Sequence, residues 1–132
     1  MPNEYKTRDA AEAIGISTAT LRRDIKSGKV EYHKYSDKVI RISELALKKY
    51  KLSCRRGCDK ITIEDIKLFE ECYAPVEVDR VLKISIGVVR KKLKNLEITH
   101  YIYGGGTIRI YESDLESYKE RCRVSEELNE DS

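Results

Sequence analysis

Displaced by 68 residues, the sequence matches itself. With Tyr5 set over Tyr73, the residues Tyr5, Ile16, Ser17, Arg22, Lys26, Tyr35, Ile40, Arg41 and Ile42 meet identical partners at Tyr73, Ile84, Ser85, Arg90, Lys94, Tyr103, Ile108, Arg109 and Ile110. That is nine identities in 38 ungapped pairs. Ile14/Leu82, Leu21/Val89, Ile25/Leu93 and Val30/Ile98 keep their apolar character. A two-residue insertion would then bring Ser43 and Leu45 over Ser113 and Leu115. Self-similarity at one fixed offset marks a duplicated structural unit. The chain is therefore expected to divide into unit one (1–52), a linker with a short helix (53–72), unit two (73–123) and an acidic tail (124–132).

Each unit reads as helix, turn, helix, hairpin, helix. Thr7 is a candidate N-cap for a short helix ending near Ile14, with Ala10, Ala11 and Ile14 inward. Gly15-Ile16-Ser17 supplies a tight turn, and Ser17 caps a second helix that stops before Gly28. Two strands follow, Val30–Tyr35 and Val39–Ile42, and Ser43 caps a closing helix from Glu44 to about Leu52. The matching pieces of unit two are Pro75–Leu82, Ser85–Asn95, Ile98–Tyr103, Thr107–Tyr111 and Ser113–Cys122. There Pro75 suits a first helical position and Gly104-Gly105-Gly106 a hairpin tip. In the linker, Thr62-x-x-Asp65 is a capping-box start to a helix carrying Ile63, Ile66 and Phe69 on one side. The expected fold class is α+β, mostly helical, built as two tandem winged helix-turn-helix units.

Composition narrows the function. Two such units nearly fill 132 residues, which leaves no room for the cofactor and substrate domains of most enzymes. No apolar run approaches the roughly 20 residues of a membrane span, and no signal segment opens the chain. Lys and Arg number 26 against 23 Asp and Glu, for a net +3. Residues 5–51 alone carry +6 and residues 73–123 carry +3, while the last nine residues hold four acids and no base. A basic body with an acidic tail fits a polyanionic partner. Cys54, Cys58, Cys72 and Cys122 read as reduced thiols, and their spacing is a poor match to a zinc site. His33 and His100 fall on strands without a neighbouring acid and read as structural. Tyr32, Tyr35, Tyr101 and Tyr103 lie on the hairpins, where strand packing is the expected role. No catalytic set, metal site or cofactor loop stands out.

On the second helix, Leu21 and Ile25 face the core, so Ala19, Thr20, Arg23, Lys26 and Ser27 point outward with Arg22 at the margin. A protruding helix with small residues at its start and cations further along suits the DNA major groove.

The run Tyr5-Lys-Thr-Arg-Asp-Ala-Ala-Glu-Ala-Ile-Gly-Ile-Ser, with Thr20-Leu21-Arg22-Arg23 and Gly28-Lys29-Val30, resembles the DNA-binding domain of MerR-type regulators. It is similar also to phage excisionases and to the N-terminal domains of small serine transposases, and Arg41-Ile42-Ser43-Glu44-Leu45 resembles their strand-to-helix exit. The resemblance implies that Thr18, Thr20, Arg22 and Arg23 contact DNA from the recognition helix. Lys34, Lys38 and Arg41 would then lie along the backbone or an adjacent minor groove, and Lys26 joins the phosphate contacts. Unit two departs from the pattern, with Val78-Asp79 for Ala-Ala, Lys83 for the turn glycine and Ile86-Gly87-Val88 for Thr18-Ala19-Thr20. Arg90, Lys91, Lys94 and Arg109 remain as its candidate contacts, through phosphates or thymine methyls, and a protein-binding face is the other reading of this unit.

The expected function is sequence-specific binding of double-stranded DNA by two recognition helices about one helical turn apart, 34–36 Å. That describes a transcriptional regulator or an excisionase-like architectural factor, cytoplasmic and nucleoid-associated, with no enzyme activity, cofactor or membrane contact of its own. A recombinase or RNA polymerase is the candidate protein partner, and self-association stays open. The alternatives are a protein-binding adaptor and an accessory subunit of a recombinase or terminase.

Overall fold

Serine side chains open three of the helices, as their positions in the sequence predict. Ser17 Oγ accepts from Thr20 N, Ser43 Oγ from Ala46 N and Ser85 Oγ from Val88 N, each satisfying one of the unpaired amides of a first helical turn. The structure, a computed structural model, describes residues 3–124; the acids of the expected tail lie outside them. In chain order it runs β1 (Glu4–Tyr5), α1 (Thr7–Ile14), α2 (Thr18–Lys26), β2 (His33–Ser36), β3 (Val39–Ser43), α3 (Glu44–Ser53), β4 (Arg55–Arg56), β5 (Cys72–Tyr73), α4 (Pro75–Leu82), α5 (Ile86–Lys94), β6 (His100–Tyr103), β7 (Thr107–Tyr111) and α6 (Glu112–Arg121). Among the described residues these six α-helices and two small antiparallel sheets, ordered β1-β3-β2 and β4-β6-β7-β5, make an α+β fold.

Several local expectations are corrected. Thr7 is the first residue of α1 rather than its cap; the N-cap position belongs to Lys6 and has no side-chain bond. The linker forms one 3-10 turn, Ile63–Asp65, in place of a helix. The Thr62/Asp65 capping box is present, but Phe69 takes a positive φ and stays exposed, while Ile66 is buried. The closing helix of unit two starts at Glu112, where Asp114 Oδ2 accepts from Tyr111 N, and not at a Ser113 cap. That start removes the expected insertion. At the unbroken offset of 68, Glu44, Leu47, Tyr50, Lys51, Cys54 and Arg55 meet identical residues at Glu112, Leu115, Tyr118, Lys119, Cys122 and Arg123. The duplication therefore runs ungapped from Tyr5/Tyr73 to Arg55/Arg123.

The two repeats close their first turns differently. After α1, Gly15 takes φ 91°, and at the equivalent position Lys83 takes φ 57°. A side chain in the left-handed region costs about 1–2 kcal/mol, and glycine escapes that cost. Lys83 is exposed, so Lys83→Gly is expected to raise stability by about 1 kcal/mol in urea denaturation. No gain would mean that Lys83 is unstrained.

The core does not respect the repeat boundary. One cluster joins Ile14, Leu21, Ile42, Leu47 and Tyr50 of the first repeat to Ile66 of the linker and to Tyr101, Tyr103 and Tyr111 of the second. The other cluster is the second repeat's own, with Val78, Val89, Leu93, Ile98, Ile110 and Leu115. Strand alternation explains the split. On β7, Ile108 and Ile110 face the helices of the second repeat, while Arg109 and Tyr111 reach the first. β4, which follows α3 of the first repeat, pairs with β6, with Arg55 opposite Tyr101 and Arg56 opposite His100. Units expected to be joined only through a linker thus share one core.

Candidate nucleic-acid interface

α2 presents Arg22, Arg23 and Lys26 to solvent, with Leu21 and Asp24 buried beneath. Asp24 is only 2% exposed, and its carboxylate is occupied. Oδ2 accepts from Tyr50 Oη at 2.5 Å and from the backbone amide of Gly104 at 2.9 Å. The β6–β7 hairpin tip of the second repeat therefore sits directly on α2 of the first. Gly104 is required there, and a side chain at Gly105 would displace Arg23. A Cβ at Gly104 would lie 2.5 Å from the Thr20 methyl, and one at Gly105 would lie 2.8 Å from the Arg23 guanidinium carbon.

This docking changes the roles of several predicted contacts. Thr20 is half-buried under Gly104, and its hydroxyl is shared with Ser17 Oγ at 2.8 Å, so it is not the free base-reading group its helical position suggested. Arg109 donates from Nε to Gly15 O at 2.9 Å and from Nη1 to Ile108 O, which ties it to the seam between the repeats. Thr18 is half-buried at the start of α2. Arg22, Lys26, Lys34, Lys38, Arg90, Lys91 and Lys94 are exposed, and Arg41 is half-buried with Nη1 on Ile40 O.

The hairpin tip also brings the two cationic helices together. One groove, about 270 Å³, is lined by Thr20, Arg23, Gly104, Gly105, Gly106 and Thr107. A second, about 470 Å³, includes Arg90, Leu93, Lys94, His100, Gly106 and Arg109 in its lining. Gly106 belongs to both, so the cations of α2 and α5 flank a single tip. None of the ten candidate cations makes an ion pair among the described residues: Arg22, Arg23, Lys26, Lys34, Lys38, Arg41, Arg90, Lys91, Lys94 and Arg109 are all without one.

The hairpin tyrosines divide. Tyr101 and Tyr103 pack in the core as expected, but Tyr32 and Tyr35 are exposed. His100 is buried, and His33, expected to lack an acid neighbour, has Nδ1 3.2 Å from Glu4 Oε2.

The polar seam beneath α2 was missed in the sequence, although Asp24 gave a signal. It is the only acid on α2 and falls on the face of Leu21 and Ile25. Further along the seam, Tyr103 Oη and Tyr111 Oη are 2.7 Å apart, and Tyr111 Oη donates to Ile14 O. With that proton committed to Ile14, Tyr103 must be the donor to Tyr111. Lys51 is buried against the Tyr101 and Tyr111 rings, 3.7 Å from the Tyr111 centroid, and donates to Lys67 O with Glu70 3.9 Å away.

Burial pushes the Asp114 carboxyl up to about 6 and the Lys51 ammonium down to about 8. A carboxyl that binds its proton more tightly when folded stabilises the fold below its unfolded value, and that contribution is lost as pH rises toward 6. Lys51 acts in the opposite direction, and its cost is relieved as pH rises from 8 toward its unfolded value. Buried His100, whose value is lowered by desolvation, loses stability as pH falls, so the Asp114 effect is best isolated by difference. Asp114→Asn is expected to exceed wild type in stability by about 2 kcal/mol at pH 7, with the gap closing toward pH 4. A gap that is independent of pH would show that Asp114 does not titrate in this range.

Among the described residues no helix is long and apolar enough to cross a membrane, and no group of three His, Cys, Asp or Glu side chains is placed to hold a metal ion. No family model, curated protein or solved structure matches the chain.

Proposed function

We propose that the chain is a sequence-specific double-stranded DNA-binding protein, a tandem pair of winged helix-turn-helix units acting as a transcriptional regulator or excisionase-like architectural factor. The observation that carries the reading is the set of exposed cations that α2 (Arg22, Arg23, Lys26) and α5 (Arg90, Lys91, Lys94) present on either side of one hairpin tip. Surface cations that merely solvate a fold are commonly interspersed with acids. Exposed cations gathered on two neighbouring helices suit a phosphate backbone, where neutralising charge releases counterions. Because the α2 and α5 groups flank one hairpin tip, the reading favours adjoining stretches of one duplex over two widely separated half-sites. Arg22 and Lys26 then carry the readout and phosphate contacts that Thr20 is too enclosed to make.

Titration against a random-sequence duplex pool at two salt concentrations tests the proposal. An enriched motif with steep salt dependence supports it, and no retention at low salt overturns it. A second reading applies to one face only. Val81 and Val88 on α4 and α5 are exposed, and apolar side chains there suit protein contact better than phosphate.

A further inference from the structure

The β2–β3 hairpin and the residue before it keep in solvent aromatic side chains that the second repeat buries. Tyr35 is 61% exposed and Tyr32 44%, whereas Tyr103, equivalent to Tyr35, is 0% exposed. His33 and Tyr35 fall on one face of β2, and their rings stack nearly parallel, 16° apart with centroids at 6.0 Å. The equivalent pair, Tyr101 and Tyr103, stacks in the same way at 6.2 Å and 10°. There the Tyr50 ring lies against Tyr103 at 5.6 Å. The first repeat therefore keeps the ring pair and lacks the ring that covers it.

Glu4 holds the polar edges of the uncovered pair. Its two carboxylate oxygens each accept from Tyr35 Oη at 2.9 Å, and Oε2 lies 3.2 Å from His33 Nδ1. Rings fixed at their edges lose less freedom when a flat partner stacks on them. His33 also joins Tyr32, Leu45 and Lys49 in lining an open groove of about 190 Å³, so the exposed rings adjoin one another. Exposed apolar groups that adjoin mark a binding surface, whereas scattered single ones do not. The charge around them is positive. Residues 33–43 hold Lys34, Lys38 and Arg41 against one acid, Asp37. Arg41 stands opposite His33 in the strand register, and Glu31 beside the groove is 3.9 Å from Lys49.

We propose that this hairpin face is a stacking platform for unpaired bases of DNA. The His33–Tyr35 stack receives a base, and Lys34, Lys38 and Arg41 meet the phosphates beside it. The proposal rests on the DNA reading of the chain and adds to it a contact separate from α2 and α5. Bases within a duplex are already stacked on their neighbours and show only their edges in the grooves. An unpaired base offers its π-face, and stacking on an aromatic ring tolerates any sequence. With only three cations on the hairpin, the rings have to carry much of the affinity.

Fluorescence anisotropy with labelled oligo(dT), about 12 nucleotides long, and with an abasic strand of the same length separates stacking from charge. Both strands carry the same phosphates, and only the first has bases. Wild type is expected to bind oligo(dT) about tenfold more tightly than the abasic strand. Tyr35→Ala should lose about tenfold on oligo(dT), the effect of one aromatic–base stack, and little on the abasic strand. Tyr35→Phe keeps the ring without its bond to Glu4 and should retain most of the affinity. Melting curves check that each variant folds. Arg22→Ala with Arg23→Ala should weaken duplex binding and leave the preference for oligo(dT) over the abasic strand unchanged. No binding of oligo(dT), equal binding of the two strands, or a preference indifferent to Tyr35→Ala would each overturn the platform, whatever the duplex result. Tighter binding of oligo(rU) than of oligo(dT) would overturn the assignment to DNA. If duplex binding fails while the oligo(dT) preference and its dependence on Tyr35 hold, the duplex reading falls and the platform stands.

Discussion

Truncating Tyr103 to alanine is expected to remove about 3–5 kcal/mol of stability, through contacts made with the first repeat although Tyr103 belongs to the second. The ring is fully buried, lies 5.6 Å from Tyr50 and stacks at 6.2 Å on Tyr101. Its loss opens a cavity between α2, α3 and β6, and it leaves the Tyr111 hydroxyl without its donor. Tyr35→Ala, at the equivalent place in the first repeat, is the control. That ring is mostly exposed, and its hydroxyl bond is to the exposed Glu4, so its loss should cost about 0.5 kcal/mol or less. Urea denaturation of both variants measures the difference. A cost below about 1 kcal/mol for Tyr103→Ala would mean that the repeats are held together by something other than this aromatic seam. A shared core also predicts one cooperative transition rather than two, and the Tyr103 variant should keep m unchanged if that cooperativity survives.

The contrast between Tyr35 and Tyr103 shows where sequence reading stops. The offset of 68 carries the element order, the serine caps and the inward apolar positions, because caps and periodicity are local and each residue brings its own reason. It does not say which copy of an equivalent residue is covered. Tyr35 and Tyr103 are the same residue in the same hairpin, and only the docking of one repeat on the other separates them. The spurious insertion had a similar cause. Ser113 and Leu115 matched Ser43 and Leu45 by identity, while the cap at Tyr111/Asp114 uses different residues for the same role. The linker helix failed because a capping box can start a turn but cannot sustain a helix, and Phe69 leaves the line of Ile63 and Ile66 with a positive φ. For the candidate interface, the exposed cations of α2 and α5 were legible from helical phase. The burial of Asp24 and the covering of Thr20 were not, since both depend on a hairpin 80 residues away in sequence.

Duplex affinity is expected to fall by about 10³–10⁵ between 50 and 200 mM salt if six to ten of the unpaired cations meet phosphates. Two double variants distinguish the contributions of the repeats. Arg22→Ala with Arg23→Ala should weaken binding more than Arg90→Ala with Lys91→Ala, because α5 opens on the apolar Ile86-Gly87-Val88, whose exposed Val88 suits protein contact better than DNA. Within the first pair Arg22 should dominate, since the Arg23 guanidinium already lies against Gly105. Lys26→Ala and Lys94→Ala should act differently, lowering affinity for all sequences and reducing the salt slope by about one each. Equal losses from the two double variants would mean that the repeats contribute alike and that α2 has no special part in readout. A salt slope near zero would exclude a phosphate-dominated interface. It would leave the exposed cations of α2 and α5 without a polyanion to explain them, and the exposed valines of α4 and α5 would then be the better guide to what the chain binds.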